Sequence, residues 1–206
     1  MSDMGNIPAT GYEKSSEKNM REEILEATAQ LFKHKGYNGT SMQGIAKEVG
    51  ILKGSIYYYF NSKNEIFKEV LNNGITPVLR NAEQIIRENA TPREKLRKLI
   101  SYHMSYIMDH NLSLVIYFQE REKLPPEQME DYLAKRDRYE NIFREVLKEG
   151  IEMGEFPQDN INLDVFAIFG MCNWIIQWYN PQGTQSAEEI KSYMEFLIFE
   201  RLLCQR

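Results

Sequence analysis

The sequence predicts an all-α protein of about nine helices, with a three-helix N-terminal module followed by a larger helical domain. Three observations predict it. Apolar residues recur at spacings of three and four along most of the 206 residues. Period-two alternation is nearly absent. Helix-start patterns, Ser or Thr followed three residues later by Glu, occur at Ser62, Thr91 and Ser186. The composition agrees: 42% hydrophobic and 12% aromatic side chains suffice for a sizeable core and exclude a low-complexity chain. Two cysteines, Cys172 and Cys204, exclude a disulfide scaffold, and no CxxC pair offers a zinc site. They fit a reducing, cytoplasmic setting. The first ten residues contain no apolar run, so no signal peptide is expected.

Taken in order, residues 1–15 lack periodicity and read as a flexible arm. Ile24, Leu25, Ala27, Leu31 and Phe32 draw one stripe on a helix from about Ser16 to Lys35. Gly36 stands where a C-cap glycine belongs, and Tyr37 packs after it. Thr40 and Ser41 offer an N-cap for a short helix from Met42 to about Val49, with Met42, Ile45, Ala46 and Val49 on one face. Gly50 and Ile51 form a tight turn, and a second short helix from about Lys53 to Tyr59 buries Ile56 and Phe60. The Ser62–Glu65 capping box opens a longer helix through Ile66, Val70 and Leu71, which Pro77 bends or ends. Thr91 and Glu94 bracket Pro92 at a first helical position; Leu96, Leu99, Ile100, His103, Met104 and Ile107 form the inner stripe that follows. A short helix around Leu112–Arg121 stops before Pro125 and Pro126. A long one runs from about Glu127 to Met153 and stops at Gly154. Helices over 163–179 and from Ser186 through about Leu203 complete the chain, with no internal repeat.

The net charge of −5 is unevenly placed. Residues 1–70 carry nine Lys/Arg against nine Asp/Glu, and residues 71–206 carry 16 against 21. Between Lys33 and Lys63, five lysines (Lys33, Lys35, Lys47, Lys53 and Lys63) face only Glu48. This is a candidate phosphate-binding surface on an acidic protein. It coincides with two short helices joined by a glycine turn, the plan of a helix-turn-helix, whose second helix must be short and exposed to enter a major groove. Three successive tyrosines, Tyr57 to Tyr59, cannot all be core on a seven-residue helix, so at least one phenol faces outward toward a phosphate. Gly54 lets a backbone approach closely. Lys63 sets a cation beside the free N–H groups of the next helix. Gln43 can bond a base edge or a phosphate. By geometry alone, solvated helices with aromatic packing account for the same pattern.

The run from Thr40 to Lys63, with Glu23-Ile24-Leu25, Leu31-Phe32 and Gly36-Tyr37 before it, resembles the signature of the tetracycline-repressor (TetR) family over roughly residues 20–70. The resemblance implies a homodimeric repressor with a three-helix DNA-binding domain and a larger all-helical effector domain. Carried over by position, it implies DNA contacts from Ser41 and Gln43 on the second helix. The third helix would contribute Lys53, Gly54, Ser55, Tyr57 and Tyr58, and the start of the fourth Lys63. Tyr59 departs from the commoner family pattern and suits packing as well as a contact. The domains expected are therefore the arm over 1–15, a DNA-binding domain over 16–62, and a ligand-binding and dimerisation domain over 63–206.

In the larger domain, Leu163 to Tyr179 is apolar almost all round. It is short for a membrane span, and Asp164, Asn173 and Gln177 interrupt it. In a soluble protein such a helix needs neighbours on every side. The last helix is similar, so the eighth and ninth helices of two subunits are expected to form an isologous four-helix interface, which suits a palindromic operator. Polar and soft residues on the apolar stripes are ligand candidates: His103, Met104, Ile107, Met108, Phe118, Met171, Asn173, Trp174, Gln177 and Trp178. Ordinary core packing accounts for any one of them singly. His103 and His110 lie seven apart, but no third metal ligand and no HExxH pattern accompanies them, so a locally hydrogen-bonded histidine is expected in place of a metal site, and no cofactor. Gly170-Met171-Cys172-Asn173-Trp174, Trp178 to Gly183 and Ser186 to Ile190 resemble the acyl-CoA-responsive branch of the family, which implies an apolar acyl-CoA effector. A repressor of the multidrug-responsive kind would need a buried acid such as Glu120 for a cationic drug. An all-helical enzyme or metal carrier would rest on His103 and His110, and no nucleophile with an adjacent base supports it.

Overall fold

The computed structural model describes residues 12–109, 112–122, 124–158 and 160–204. The chain forms two compact units, Met1–Val70 and Leu71–Arg206. Among the described residues there are nine α-helices and no strand: α1 Tyr12–Gly39, α2 Met42–Val49, α3 Lys53–Tyr59, α4 Lys63–Ile85, α5 Pro92–Asp109, α6 Leu112–Glu120, α7 Glu130–Glu152, α8 Ile161–Trp178 and α9 Ala187–Leu197. Helix α1 takes in Tyr12–Ser15 of the expected arm; the rest of that arm, like His110, lies outside the described residues.

In the first unit, Gly36 has φ 71°, which interrupts α1 where the sequence places a stop, although one more turn follows to Gly39. Ile24, Phe32, Ile45, Ile56, Phe60, Ile66 and Phe67 are buried together with Leu25 and Ala46. Phe67 meets both Phe32 and Tyr37 edge to face, at 5.7 and 5.0 Å between ring centres. Ser41 caps α2 by accepting from the Gly44 N–H at 3.1 Å. Gly50 (φ 78°) ends α2 in a Schellman motif, its N–H donating to the Lys47 carbonyl and the Ile51 N–H to the Ala46 carbonyl. That double closure fixes the direction in which α3 leaves.

Helix α4 carries Pro77 and continues through it to Ile85, in place of the expected end there. Proline cannot donate to the carbonyl four residues back. The Tyr106 hydroxyl donates to that Asn73 carbonyl at 3.3 Å, and Lys135 grips the same turn through Asn72 Oδ1 (2.7 Å) and Thr76 Oγ1 (3.3 Å). In the second unit α5 packs against α7, α8 and α9. Its capping box is formed, Glu94 N–H donating to Thr91 Oγ1 and Thr91 N–H to the Glu94 carboxylate. Gly154 (φ 74°) closes α7 in a second Schellman motif. Two ends differ from expectation. Pro125 stays extended and Pro126–Gln128 form a 3-10 turn, so α7 starts at Glu130 and not near Glu127. The last helix widens into a π turn over Ile198–Leu202, with Ile198 and Phe199 buried.

Candidate functional sites

On the first unit, Ile56 and Phe60 anchor α3, and the remaining faces point away from the core. Tyr57 is 47% and Tyr58 71% exposed. Lys53, Gly54 and Ser55 are exposed on the same helix, as are Ser41 and Gln43 on α2; nothing lies within 4 Å of the position a Gly54 Cβ would take. Tyr59 is half-buried and meets Tyr58 edge to face at 5.0 Å. Lys33, Lys35 and Lys47 are exposed as well.

Lys63 is placed differently from expectation. Its ammonium donates to the Tyr37 and Thr40 carbonyls at 2.6 and 2.7 Å and lies 4.1 Å over the Tyr37 ring. The carbonyls at the end of α1 draw the cation inward, so it braces the α1–α2 corner and does not stand beside open N–H groups of α4. Two residues escaped the sequence reading. Leu52, 79% exposed, precedes α3 on the outward face. Arg21 donates to the Tyr59 carbonyl at 2.6 Å, pairs with both Glu69 oxygens and covers the Phe60 ring at 4.1 Å, tying the end of α3 to α1 and α4.

The second unit holds a cavity of about 190 Å³ lined by residues of α4 to α8. His103, Ile107, Phe118 and Asn173 of the ten candidates line it. Met104 and Met108 are buried elsewhere in the core, and Met171 faces away from the cavity. Trp174, Gln177 and Trp178 lie on the exposed side of α8, because the helix turns them past the cavity face that Phe169 and Asn173 occupy. Glu120 is buried but does not line the cavity; the carboxylate there is Glu140, 3.2 Å from Arg144 and 3.7 Å from Arg136.

His103 sits at the buried end. Its Nε2–H donates to Asn173 Oδ1 at 3.1 Å and its Nδ1 accepts from the Tyr139 hydroxyl at 3.2 Å, which fixes the Nε2–H tautomer. Phe169 meets the ring edge to face at 5.1 Å. Burial pushes the imidazole down to about 4, so it is neutral at pH 7. No group of three or more His, Cys, Asp or Glu able to hold a metal occurs among the described residues. At the exposed end, Arg136 donates to the Tyr117 hydroxyl at 2.5 Å, and Arg121 lies 5.2 Å over the Phe118 ring. Tyr132, Arg136, Tyr139 and Phe143 recur at helical spacing along α7, a stripe legible in the sequence once α7 is known to face a cavity.

A third feature is the outward stripe of α8, Leu163, Phe166, Trp174 and Trp178, with Trp174 65% exposed; Tyr193 and Phe196 of α9 are exposed as well. By length and composition α8 could cross a membrane, the one such helix among the described residues, but Val165, Ile168, Cys172 and Ile175 on its other side are packed into the unit.

Residues 24–70 match the family model described as bacterial regulatory proteins, tetR family, and residues 89–202 match that of the tetracyclin repressor-like C-terminal domain. The chain is 31% identical over 173 residues to the HTH-type transcriptional repressor KstR2 of Mycobacterium tuberculosis, covering 82% of this chain and 86% of that one. It is 32% identical over 184 residues to the fatty acid metabolism regulator protein of Bacillus subtilis, covering 85% and 92%. The crystal structure of the TetR-family regulator PfmR from Thermus thermophilus superposes with a TM-score of 0.77 at 33% identity, covering 89% of this chain and 99% of that one. An exposed short helix after a glycine turn, an all-helical second unit and these matches over both units together make the chain a member of the TetR family of transcriptional regulators.

Proposed function

We propose that two copies of the chain, joined through the outward stripes of α8 and α9, present their α3 helices to successive major grooves of a palindromic operator and repress transcription there. A CoA thioester of an apolar acid, entering the cavity, then releases the DNA. The observation that carries this is the build of α3: Ile56 and Phe60 are buried while Tyr57, Tyr58, Lys53 and Ser55 are exposed on its remaining faces. Ser41, Gln43, Lys53 and the two phenols supply phosphate and base-edge donors. Gly54 allows close approach of the sugar-phosphate backbone, and Leu52 offers an apolar contact for a thymine methyl. Lys63 acts indirectly, by holding the corner from which α2 starts.

Residues 16–62 then form the DNA-binding domain and 63–206 the ligand-binding and dimerisation domain. The likeness to a fatty acid metabolism regulator supports an acyl ligand. So does the cavity itself, whose lining is largely aromatic and aliphatic and whose exposed end carries two arginines against one glutamate. The carboxylate lining the cavity is already engaged by Arg144 and Arg136, which disfavours a cationic drug, while the guanidiniums of Arg121 and Arg136, paired with the exposed Glu122 and Asp137, offer donors to a phosphate-bearing ligand. The protein works in the cytoplasm and has no catalytic role; the cavity histidine is neutral and fully hydrogen-bonded, with no nucleophile beside it.

Gel-shift titration against DNA upstream of its own coding sequence tests this. Specific binding to a palindrome there, weakened by micromolar long-chain acyl-CoA, is the expected result. No sequence-specific binding to any such DNA overturns the repressor assignment, and binding indifferent to every acyl-CoA overturns the effector. Linkage requires the operator to weaken acyl-CoA binding by the same factor.

A further inference from the structure

The polar groups of the cavity fall into two sets of different exposure. Arg121 and Arg136, 45% and 33% exposed, belong to its open side with Phe118. His103, Ile107 and Tyr139 are buried at the other end, where Asn173 joins them through His103. A CoA thioester with its phosphates at the arginines directs the far end of its acyl group to this inner set.

The inner set is a hydrogen-bond chain with one end left over. Both ring nitrogens of His103 are used, and the hydroxyl hydrogen of Tyr139 is spent on Nδ1. Asn173 accepts through Oδ1, which holds its amide in one orientation. The two N–H groups of that amide have no acceptor among the described residues, although Asn173 lines the cavity. Phe169 and Ile107, which line the same cavity, offer no oxygen. A plain hydrocarbon end would leave the amide donors unmatched and strip them of water, whereas an oxygen would satisfy them.

On the acyl-CoA assignment above, we propose that the effector's acyl group carries an oxygen, as a ketone or a hydroxyl, at the end remote from the thioester, and that the Asn173 amide receives it. Asn173 thereby selects oxygenated acyl groups over plain fatty acyl chains of the same length. The His103–Tyr139 pair positions it, keeping Oδ1 turned to the imidazole and the N–H groups to the ligand.

Calorimetric titration of the full-length dimer with a matched pair of probes tests the proposal: decanoyl-CoA, and the same thioester bearing a ketone at the penultimate carbon. The expected result is about tenfold tighter binding of the keto thioester, the difference made by one well-formed hydrogen bond in a desolvated site. In Asn173→Leu, similar in volume but without the donor, the two affinities should come within about twofold, with operator binding retained as the check on folding. Equal affinities in the natural protein, or a preference that survives Asn173→Leu, overturn the proposal while leaving the acyl-CoA assignment standing. If neither thioester binds, both fall. The comparison of probes on the unmodified protein is decisive even if the variant fails to fold.

Discussion

Tyr57 and Tyr58 on α3 are exposed, whereas Tyr117, Tyr132 and Tyr139 around the cavity are buried, and the difference lies in what each ring is asked to hold. The first unit builds its core from Phe32, Phe60, Phe67 and a few isoleucines, which need no hydrogen-bond partners, so its α3 tyrosines can face a partner. The second unit uses tyrosine hydroxyls internally: Tyr139 orients His103, Tyr117 receives Arg136, and Tyr106 covers the carbonyl that Pro77 leaves open. Burial raises Tyr132 and Tyr139 well above the ordinary phenol range, so both remain neutral donors at any physiological pH. One unit offers polar atoms to the outside and the other turns them toward an enclosed space.

That contrast can be broken most severely at the α8 stripe. Phe166→Glu places a carboxylate against its symmetry mate across the proposed two-fold, a juxtaposition that costs several kcal/mol. Light scattering should then report monomers, and operator affinity should fall by about a hundredfold or more. A Phe166→Glu dimer with normal affinity would remove α8 from the interface.

His103 sharpens the contrast from inside. Its folded value, about 4, lies below the 6.5 of an exposed histidine, so the unfolded chain binds a proton that the folded one refuses between those limits. The contribution is complete above pH 6.5 and is lost as the pH falls toward 4, by about 3 kcal/mol in all. Denaturant unfolding at intervals of pH should show this slope. His103→Gln should flatten it; an unchanged slope would mean other groups cause it.

A smaller loss is expected at Gly150, where an added Cβ would stand 2.2 Å from Phe156 Cδ2 and 3.2 Å from Pro92 Cβ. Gly150→Ala should cost about 1–3 kcal/mol and lower the melting temperature by several degrees. Operator affinity well below that melting point should be unchanged, since the clash is confined to the second unit. The smallest effect belongs to the exposed side. Lys53→Ala should weaken binding to every DNA sequence alike and reduce the slope of log affinity against log salt by about 1. A change that depended on base sequence would make Lys53 a base reader.

The helix-turn-helix was legible almost residue by residue. The bounds of α2 and α3, the Gly50 turn and the burial of Ile56 and Phe60 all follow from a contiguous stretch, because caps, glycine turns and apolar spacing act over four or five residues. The placement of Lys63 was not legible for the same reason: its partners at Tyr37 and Thr40 lie more than twenty residues back. In the cavity, His103 and Asn173 were recognisable as polar interruptions of apolar stripes, whereas Trp174 and Met171 share the stripe chemistry and face elsewhere.

The sequence by itself determined the helices, their stops at Gly36, Gly50 and Gly154, the exposed chemistry of α3 and the need of α8 for a second partner. Tertiary structure alone decided which residues enclose the cavity, how Pro77 is carried within α4, and that His103, Tyr139 and Asn173 form one chain. The reason is one of range. A helix end is settled by groups within a turn of each other, but a cavity wall is settled by the rotation of five separate helices about their axes, and a rotation of one residue position, roughly 100°, exchanges the side chains that face inward for those that face out.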